Sequence, residues 1–123
     1  MDDSIRMLGF RDDIPELLSI IDIFVLSSYL EGMGTSILDA MASGLPVVAT
    51  SVGGIGEVVR DSRTGILVPP RNPEALANGI MALVKSRDMR ERYGREARIV
   101  AREYSCDRMV EEAENLYRSL FIN

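Results

Sequence analysis

The segment that decides the fold is Glu31-Gly32-Met33-Gly34-Thr35-Ser36-Ile37-Leu38-Asp39-Ala40-Met41-Ala42. It follows a short apolar run, Ile23-Phe24-Val25-Leu26. The pattern predicts a buried strand, a turn with two glycines, and a helix that begins near Thr35. Glycines let the backbone approach a ligand closely, and a helix start offers unpaired N–H groups and a positive dipole end. We therefore expect this turn to bind a phosphorylated, hydroxyl-rich ligand between Glu31 and Asp39.

The composition limits the possible functions. The 123 residues fit one domain, 1–123, and the net charge of −5 argues against nucleic-acid or anionic-membrane binding. The absence of histidine excludes a Ser-His-Asp triad and any His-ligated metal within this chain. No apolar run approaches a membrane span, and the first residues do not resemble a signal peptide. We expect a cytoplasmic location, with peripheral attachment to a membrane left open, and no metal.

Strands and helices alternate along the sequence. Four strands are predicted from short apolar runs, at Ile5 to Gly9, Ile23 to Leu26, Val47 to Thr50 and Ile66 to Val68. The unbroken apolar character of the second run favours a central strand that is covered on both faces. Helices between parallel strands imply right-handed βαβ units. The predicted class is α/β, a three-layer Rossmann-like parallel sheet of about four strands.

Capping residues mark the predicted helix starts. Asp13, with Pro15 in the first turn, and Asn72, followed by proline, have the expected N-cap pattern. From about residue 88 to 121 the chain is predicted to be helical, with Ser105 starting a last helix, so that two or three helices end the chain. Cys106 at that start is interpreted as an ordinary small residue.

Three glycine-containing loops are expected at one edge of the sheet. They are the Gly9-Phe10 turn, the segment 31–34, and the turn Gly53-Gly54. Ligands of parallel α/β sheets bind outside the carboxyl ends of the strands, where these loops fall. Their convergence is stronger evidence for a ligand site than any single glycine motif.

These motifs together resemble a known family. The chain from Leu8 to Pro70 is similar to the nucleotide-sugar-binding half of retaining GT-B glycosyltransferases, specifically glycosyltransferase family 4. The matching segments are Leu8-Gly9-Phe10-Arg11-Asp12-Asp13-Ile14, Asp22 to Ser28, Glu31-Gly32-Met33-Gly34 to Ala42, Gly44 to Thr50, Val52-Gly53-Gly54, Glu57-Val58-Val59 and Thr64 to Val68. The likeness weakens after about residue 85.

The resemblance implies roles for individual residues. Glu31, as catalytic residue, and Asp39 fill the two ends of the family's Glu-x7-Glu motif, the first beside the donor sugar and the second on the ribose hydroxyls. The remaining implied donor-binding positions hold the diphosphate, the sugar and the base, and they are Gly32, Met33, Gly34, Thr35, Gly53, Gly54, Gly9 and Phe10. It also implies a hexosyl transfer from a nucleoside-diphosphate sugar in polysaccharide biosynthesis, with no cofactor and no metal.

Two acids have competing interpretations. Asp39 stands where the family has Glu, and Ser36-x-x-Asp39 also has the spacing of a helix capping box. Glu57 is explained equally well by a ligand role or by favourable electrostatics at a helix start. Both alternatives stay open at this level.

The resemblance also implies missing parts. The family's donor half normally has two further strands, with an Arg and a Lys for the diphosphate, and an acceptor domain precedes that half. We therefore expect a fragment or remnant of a two-domain enzyme, inactive as an isolated chain. The first strand would move beside the second, or a homodimer would cover the open edge of the sheet. A non-catalytic associating domain is the alternative, and a sugar-nucleotide epimerase is less favoured.

Overall fold

Strands and helices alternate along the chain in the computed structural model, which describes residues 4–9, 11–27 and 35–121. The elements in these residues are, in chain order, α1 (Ile14–Leu18), β1 (Phe24–Leu26), α2 (Thr35–Ala42), β2 (Val47–Thr50), α3 (Ile55–Val58), β3 (Gly65–Val68), α4 (Pro73–Lys85) and α5 (Arg87–Phe121). The predicted bounds of β2 are confirmed, and the α/β class is confirmed with them.

The strands form one parallel sheet in the order β1-β2-β3. Phe24 is opposite Val47, and Val47 is opposite Gly65. The central strand is β2, whose four residues are all buried. The prediction that the Ile23–Leu26 run is central is wrong for the described sheet. It lies at the edge, and Val25 is 38% exposed there.

The predicted first strand is also wrong. Residues 5–9 have no regular secondary structure, and the described sheet has three strands where about four were expected. The side chains of Ile5, Met7 and Leu8 are exposed, 80% in the case of Met7. An apolar segment forms a stable strand only when a partner strand and a buried face are available, and no described strand lies beside this one. The expected move of this segment beside the second strand does not occur.

The sheet has helices on both faces, as a three-layer fold requires. Because side chains alternate along a strand, Val47 and Ala49 face one side of β2 and Val48 faces the other. The first side packs against the buried residues of α2, α3 and α5, which are Ile37, Met41, Ile55, Val58, Ala97, Val100 and Ala101. The second side packs against Leu83 of α4 and Tyr93 of α5.

The two predicted N-caps behave differently. The Asn72 side chain accepts a hydrogen bond of 2.9 Å from the backbone N–H of Ala75, which confirms this cap. Asp13 occupies the N-cap position of α1, but its side chain makes no capping hydrogen bond and instead pairs with Arg11. The nearby guanidinium offers a charge-assisted partner that replaces the helix backbone.

The C-terminal part of the chain forms one long helix. α5 runs without a break from Arg87 to Phe121, so the predicted helix start at Ser105 is wrong. Serine is only mildly unfavourable inside a helix, and good helix formers flank it on both sides. One face of the first half of α5 is buried against the sheet and α2, whereas the described residues from Val110 to Leu120 are exposed. Among the helices described, none combines the length and the apolar character that a membrane span needs.

Candidate functional site at the carboxyl edge of the sheet

The carboxyl ends of the three parallel strands meet at one edge. The described segments that follow these ends are Ser27 after β1, 51–54 after β2 and 69–72 after β3. α2 belongs to the unit between β1 and β2, so its first residues lie at this edge as well. The sequence predicted three ligand loops at this edge, and for the Gly53-Gly54 turn the topology agrees. Gly9 does not follow a described strand, so the place of the Gly9-Phe10 turn at this edge stays a prediction.

α2 begins at Thr35, as predicted, and it is anchored by one apolar face. Ile37, Ala40 and Met41 have no exposed surface, whereas Ser36 and Asp39 are exposed. The buried face fixes the helix on the sheet, and the first turn leaves backbone N–H groups without helical partners. The residues assigned to the preceding turn, Glu31, Gly32, Met33 and Gly34, lie outside the described residues, as does Phe10. Their roles stay predictions.

Asp39 lies in the second turn of α2 and faces α1. It lines a shallow cleft together with Ile14, Pro15, Leu18, Ala42 and Ser43. A capping box requires Ser36 at the N-cap, but Ser36 is the second helical residue of α2. Within the described residues, moreover, the Asp39 carboxylate forms no hydrogen bond. The capping-box alternative is therefore wrong, and the ribose contact stays a prediction.

The second glycine turn leads from β2 into α3. Gly53 has a φ of +53°, a left-handed conformation that glycine adopts without steric cost. Gly54 is the N-cap of α3 and, having no side chain, leaves the local backbone accessible. Ile55 and Val58 bury the other side of this short helix. Glu57 is exposed in the first turn of α3, which is compatible with both of its interpretations.

The loop before α1 carries a local ion pair. Gly9 has a φ of +67°, and the Arg11 guanidinium contacts both carboxylate oxygens of Asp13. The hydrogen bond and charge of Arg11 lower the pKa of Asp13, and Asp13 raises the pKa of Arg11. Leu8, Arg11, Asp12 and Asp13 line a small open cleft. Arg11 is thus paired locally, so it is a less available cation for a ligand phosphate.

Two features of this region were missed at the sequence level. Arg71 follows β3 at the same edge and has a φ of +58°, which residues other than glycine rarely adopt. At the opposite end of α2, Gly94 and Arg98 of α5 contact Ser43 and Gly44. The signal for the second feature was Gly94 in a helix interior, where a glycine often marks a close approach of two backbones. The described residues contain no group of three or more Cys, Asp and Glu side chains placed to hold a metal ion.

A comparison with known families identifies the chain. Residues 1–100 match the family model described as glycosyl transferases group 1. This chain belongs to that family. It is 32% identical over 118 residues to the N-acetyl-alpha-D-glucosaminyl L-malate synthase of Bacillus anthracis, a match that covers 95% of this chain and 31% of that protein. The chain thus spans about a third of the length of this relative.

Solved structures that include glycosyltransferases share the fold. A glycosyltransferase from Rickettsia africae superposes over 98% of this chain and 33% of its own, with a TM-score of 0.87 and 29% identity. Anabaena HepE in complex with UDP and glucose covers 93% of this chain and 32% of its own, with a TM-score of 0.83 and 28% identity. The C-terminal domain of a group 1 protein from Francisella tularensis has a TM-score of 0.71 and 28% identity, over 80% of this chain and 51% of its own. The fold is that of GT-B glycosyltransferase C-terminal domains.

Proposed function

We propose that this chain is the nucleotide-sugar donor-binding part of a retaining, family 4 glycosyltransferase that moves a hexosyl group to an acceptor. The observation that carries the proposal is that α2 starts at the carboxyl edge of the sheet, the edge at which the Gly53 turn also lies. A helix of eight residues, whose first-turn N–H groups have no partner within the helix itself, suits a diphosphate. The likeness to HepE, a structure with UDP and glucose, supports the ligand class.

In this proposal the helix start stabilises the leaving group. When the bond between the sugar and the diphosphate breaks, negative charge grows on the diphosphate oxygens. The backbone N–H groups at Gly34 and Thr35 and the positive end of the α2 dipole would stabilise that charge without a metal ion. Asp39 would accept hydrogen bonds from the ribose hydroxyls. Glu31 would lie beside the donor sugar.

The two glycine loops complete the proposed donor site. The Gly53-Gly54 turn would face the sugar, since it follows β2 at the carboxyl edge and Gly53 is exposed there. The main chain at Gly9 and Phe10 would lie against the base. Cytoplasmic location and a role in polysaccharide biosynthesis stay predictions from the sequence.

We further propose that the chain does not transfer sugar by itself. Support comes from its size, since it covers 31% of the Bacillus relative and 51% of the separately solved Francisella domain. Transfer requires an acceptor held in a closed, water-excluding cleft, which GT-B enzymes form with a second domain. An assay of UDP-, GDP- and ADP-sugars that detected transfer by this chain would contradict the proposal.

A second candidate is a non-catalytic associating domain. It is favoured by the open edge of β1, where Val25 and the neighbouring Ile20 and Ile21 expose apolar surface. An exposed edge strand can pair with the same strand of a second copy. Light scattering tests this: a dimer that becomes monomeric in Val25→Lys supports association through β1, and a wild-type monomer contradicts it.

Isothermal titration with UDP, GDP and ADP distinguishes the two functions. We expect weak binding of one nucleotide, with UDP as the first probe, and a further loss of affinity in Asp39→Asn. Asp22→Asn is the matched control, because Asp22 is an exposed acid just before β1, at the opposite edge of the sheet. Absence of binding by all three nucleotides would favour the non-catalytic domain.

A further inference from the structure

The C-terminal end of α2 is built as a tight left-handed stop. Gly44 has a φ of +81°, its N–H donates to the Met41 carbonyl at 2.9 Å, and the Leu45 N–H donates to the Ala40 carbonyl at 3.1 Å. This pair of hydrogen bonds is the Schellman arrangement that commonly ends helices. The Ser43 carbonyl receives a different donor, which comes from α5.

Two residues of α5, one turn apart, close on this stop. A Cβ atom added to Gly94 would lie 2.3 Å from the Gly44 carbonyl oxygen, so the two backbones are in direct contact. Arg98 donates from Nη2 to the Ser43 carbonyl at 3.3 Å. Its guanidinium also fills the space where a Cβ on Gly44 would point, 2.7 Å from Nη2. The stop is therefore held by backbone on one side and by a cation on the other.

The position of these contacts connects them to the donor site. α2 has eight residues and is about 12 Å long, so its last turn and its ligand-facing first turn belong to one short rigid rod. A displacement at residue 44 would move the first turn by a similar amount. The Arg98 guanidinium also interacts favourably with the negative end of the α2 dipole, which strengthens the attachment of this helix to α5.

We propose that Gly94 and Arg98 are positioning residues for the donor diphosphate. Through their contacts at the C-terminal end of α2, they fix the position of this helix along its axis. The first N–H groups of α2 then meet the phosphate oxygens at the carboxyl edge. The proposal rests on the donor-binding function above. It differs from a merely structural cap, which would contribute to folding stability and leave the affinity of the folded protein unchanged.

The test compares Arg98 variants in nucleotide affinity and in amide exchange. Arg98→Ala removes the cation, Arg98→Lys restores the charge, and Arg98→Met keeps an apolar stem if the alanine variant does not fold. Arg102→Ala is the matched control, since Arg102 is exposed one turn further along α5. All variants are compared with the wild-type chain, at a temperature where circular dichroism shows each of them folded.

We expect Arg98→Ala to weaken UDP binding by about two- to five-fold, with the full interaction of a cation with a helix C-terminus as the upper limit of the effect. Arg98→Lys should recover most of the affinity, and Arg102→Ala should match the wild type. Amide exchange should become faster at residues 36–38 as well as at 43–45.

Equal affinity in the folded Arg98→Ala and wild-type chains, with faster exchange confined to residues 43–45, would overturn the proposal and leave a structural cap. No UDP binding by the wild-type chain would overturn the donor-binding function first, and the positioning proposal with it.

Discussion

The β1 side of the sheet is less well covered by helices than the β2–β3 side. On the β2–β3 side both faces are covered, one by α2, α3 and α5 and the other by α4 and Tyr93 of α5. Thr64 is fully buried in the turn before β3. Around β1, Val25 and Ile20 expose apolar surface, 75% in the case of Ile20. The candidate donor loops follow β1 and β2, so the proposed site lies between the well-covered β2–β3 side and the exposed β1 side.

The largest expected difference between the β1 and β2–β3 sides is the stability lost when a large apolar side chain is replaced by alanine. Leu83→Ala, on the β2–β3 side, should lower the free energy of unfolding by about 2–5 kcal/mol, because the side chain is fully buried. Ile20→Ala, on the β1 side, should cost less than about 0.5 kcal/mol. Urea denaturation measures both. Equal costs would mean that the β1 side is as well packed as the other.

A glycine in β3 gives the next comparison. Gly65 has no room for a Cβ, which would lie 2.1 Å from the Val47 carbonyl oxygen, whereas a Cβ at Gly56 would meet nothing within 4 Å. We expect Gly65→Ala to destabilise the protein by about 1–3 kcal/mol through overpacking. Gly56→Ala, in a helix, should be neutral or stabilising by up to about 1 kcal/mol. A tolerated Gly65→Ala would show that β2 and β3 are farther apart than described.

The helix caps extend the comparison to smaller effects. Asn72→Ala should cost about 1 kcal/mol, since it removes a formed capping hydrogen bond at the start of α4. Asp13→Ala should cost less, because Asp13 makes no capping bond to α1 and its pair with Arg11 is exposed. Thermal unfolding of the two variants checks the order. A reversed order would mean that Asp13 caps α1 in solution.

The smallest effect is a pH dependence at the Arg11–Asp13 pair. Arg11 lowers the pKa of Asp13 in the folded state, so the pair contributes stability above the ordinary aspartate pKa. That contribution is lost as the pH falls through the lowered pKa. An NMR titration should show the Asp13 pKa below its usual value in the wild type and returning to it in Arg11→Gln. No change between the two chains would contradict the ion pair.

Features that depend on neighbouring residues were predicted correctly from the sequence, whereas contacts between distant segments were not. The bounds of β2 and the Asn72 cap followed from nearby residues alone, as did the helix start at Thr35. The strand at Ile5 failed because a strand depends on a neighbour, and the central position of β1 failed because apolarity does not show which strands lie beside it. The contact of Gly94 and Arg98 with the end of α2 joins residues about 50 positions apart. A glycine inside a helix indicates a close approach there, but it does not show which distant segment approaches.

The central claim is that the donor nucleotide binds at the carboxyl edge, at the start of α2. A UDP titration followed by two-dimensional NMR of the amide-labelled chain tests it directly. We predict concentration-dependent shifts of the amides at residues 35–39 and 53–54, with residues 80–85 at the far end of α4 unaffected. Shifts confined to the opposite edge, around Gly44 and Arg90, or no shifts at any UDP concentration, would contradict the claim.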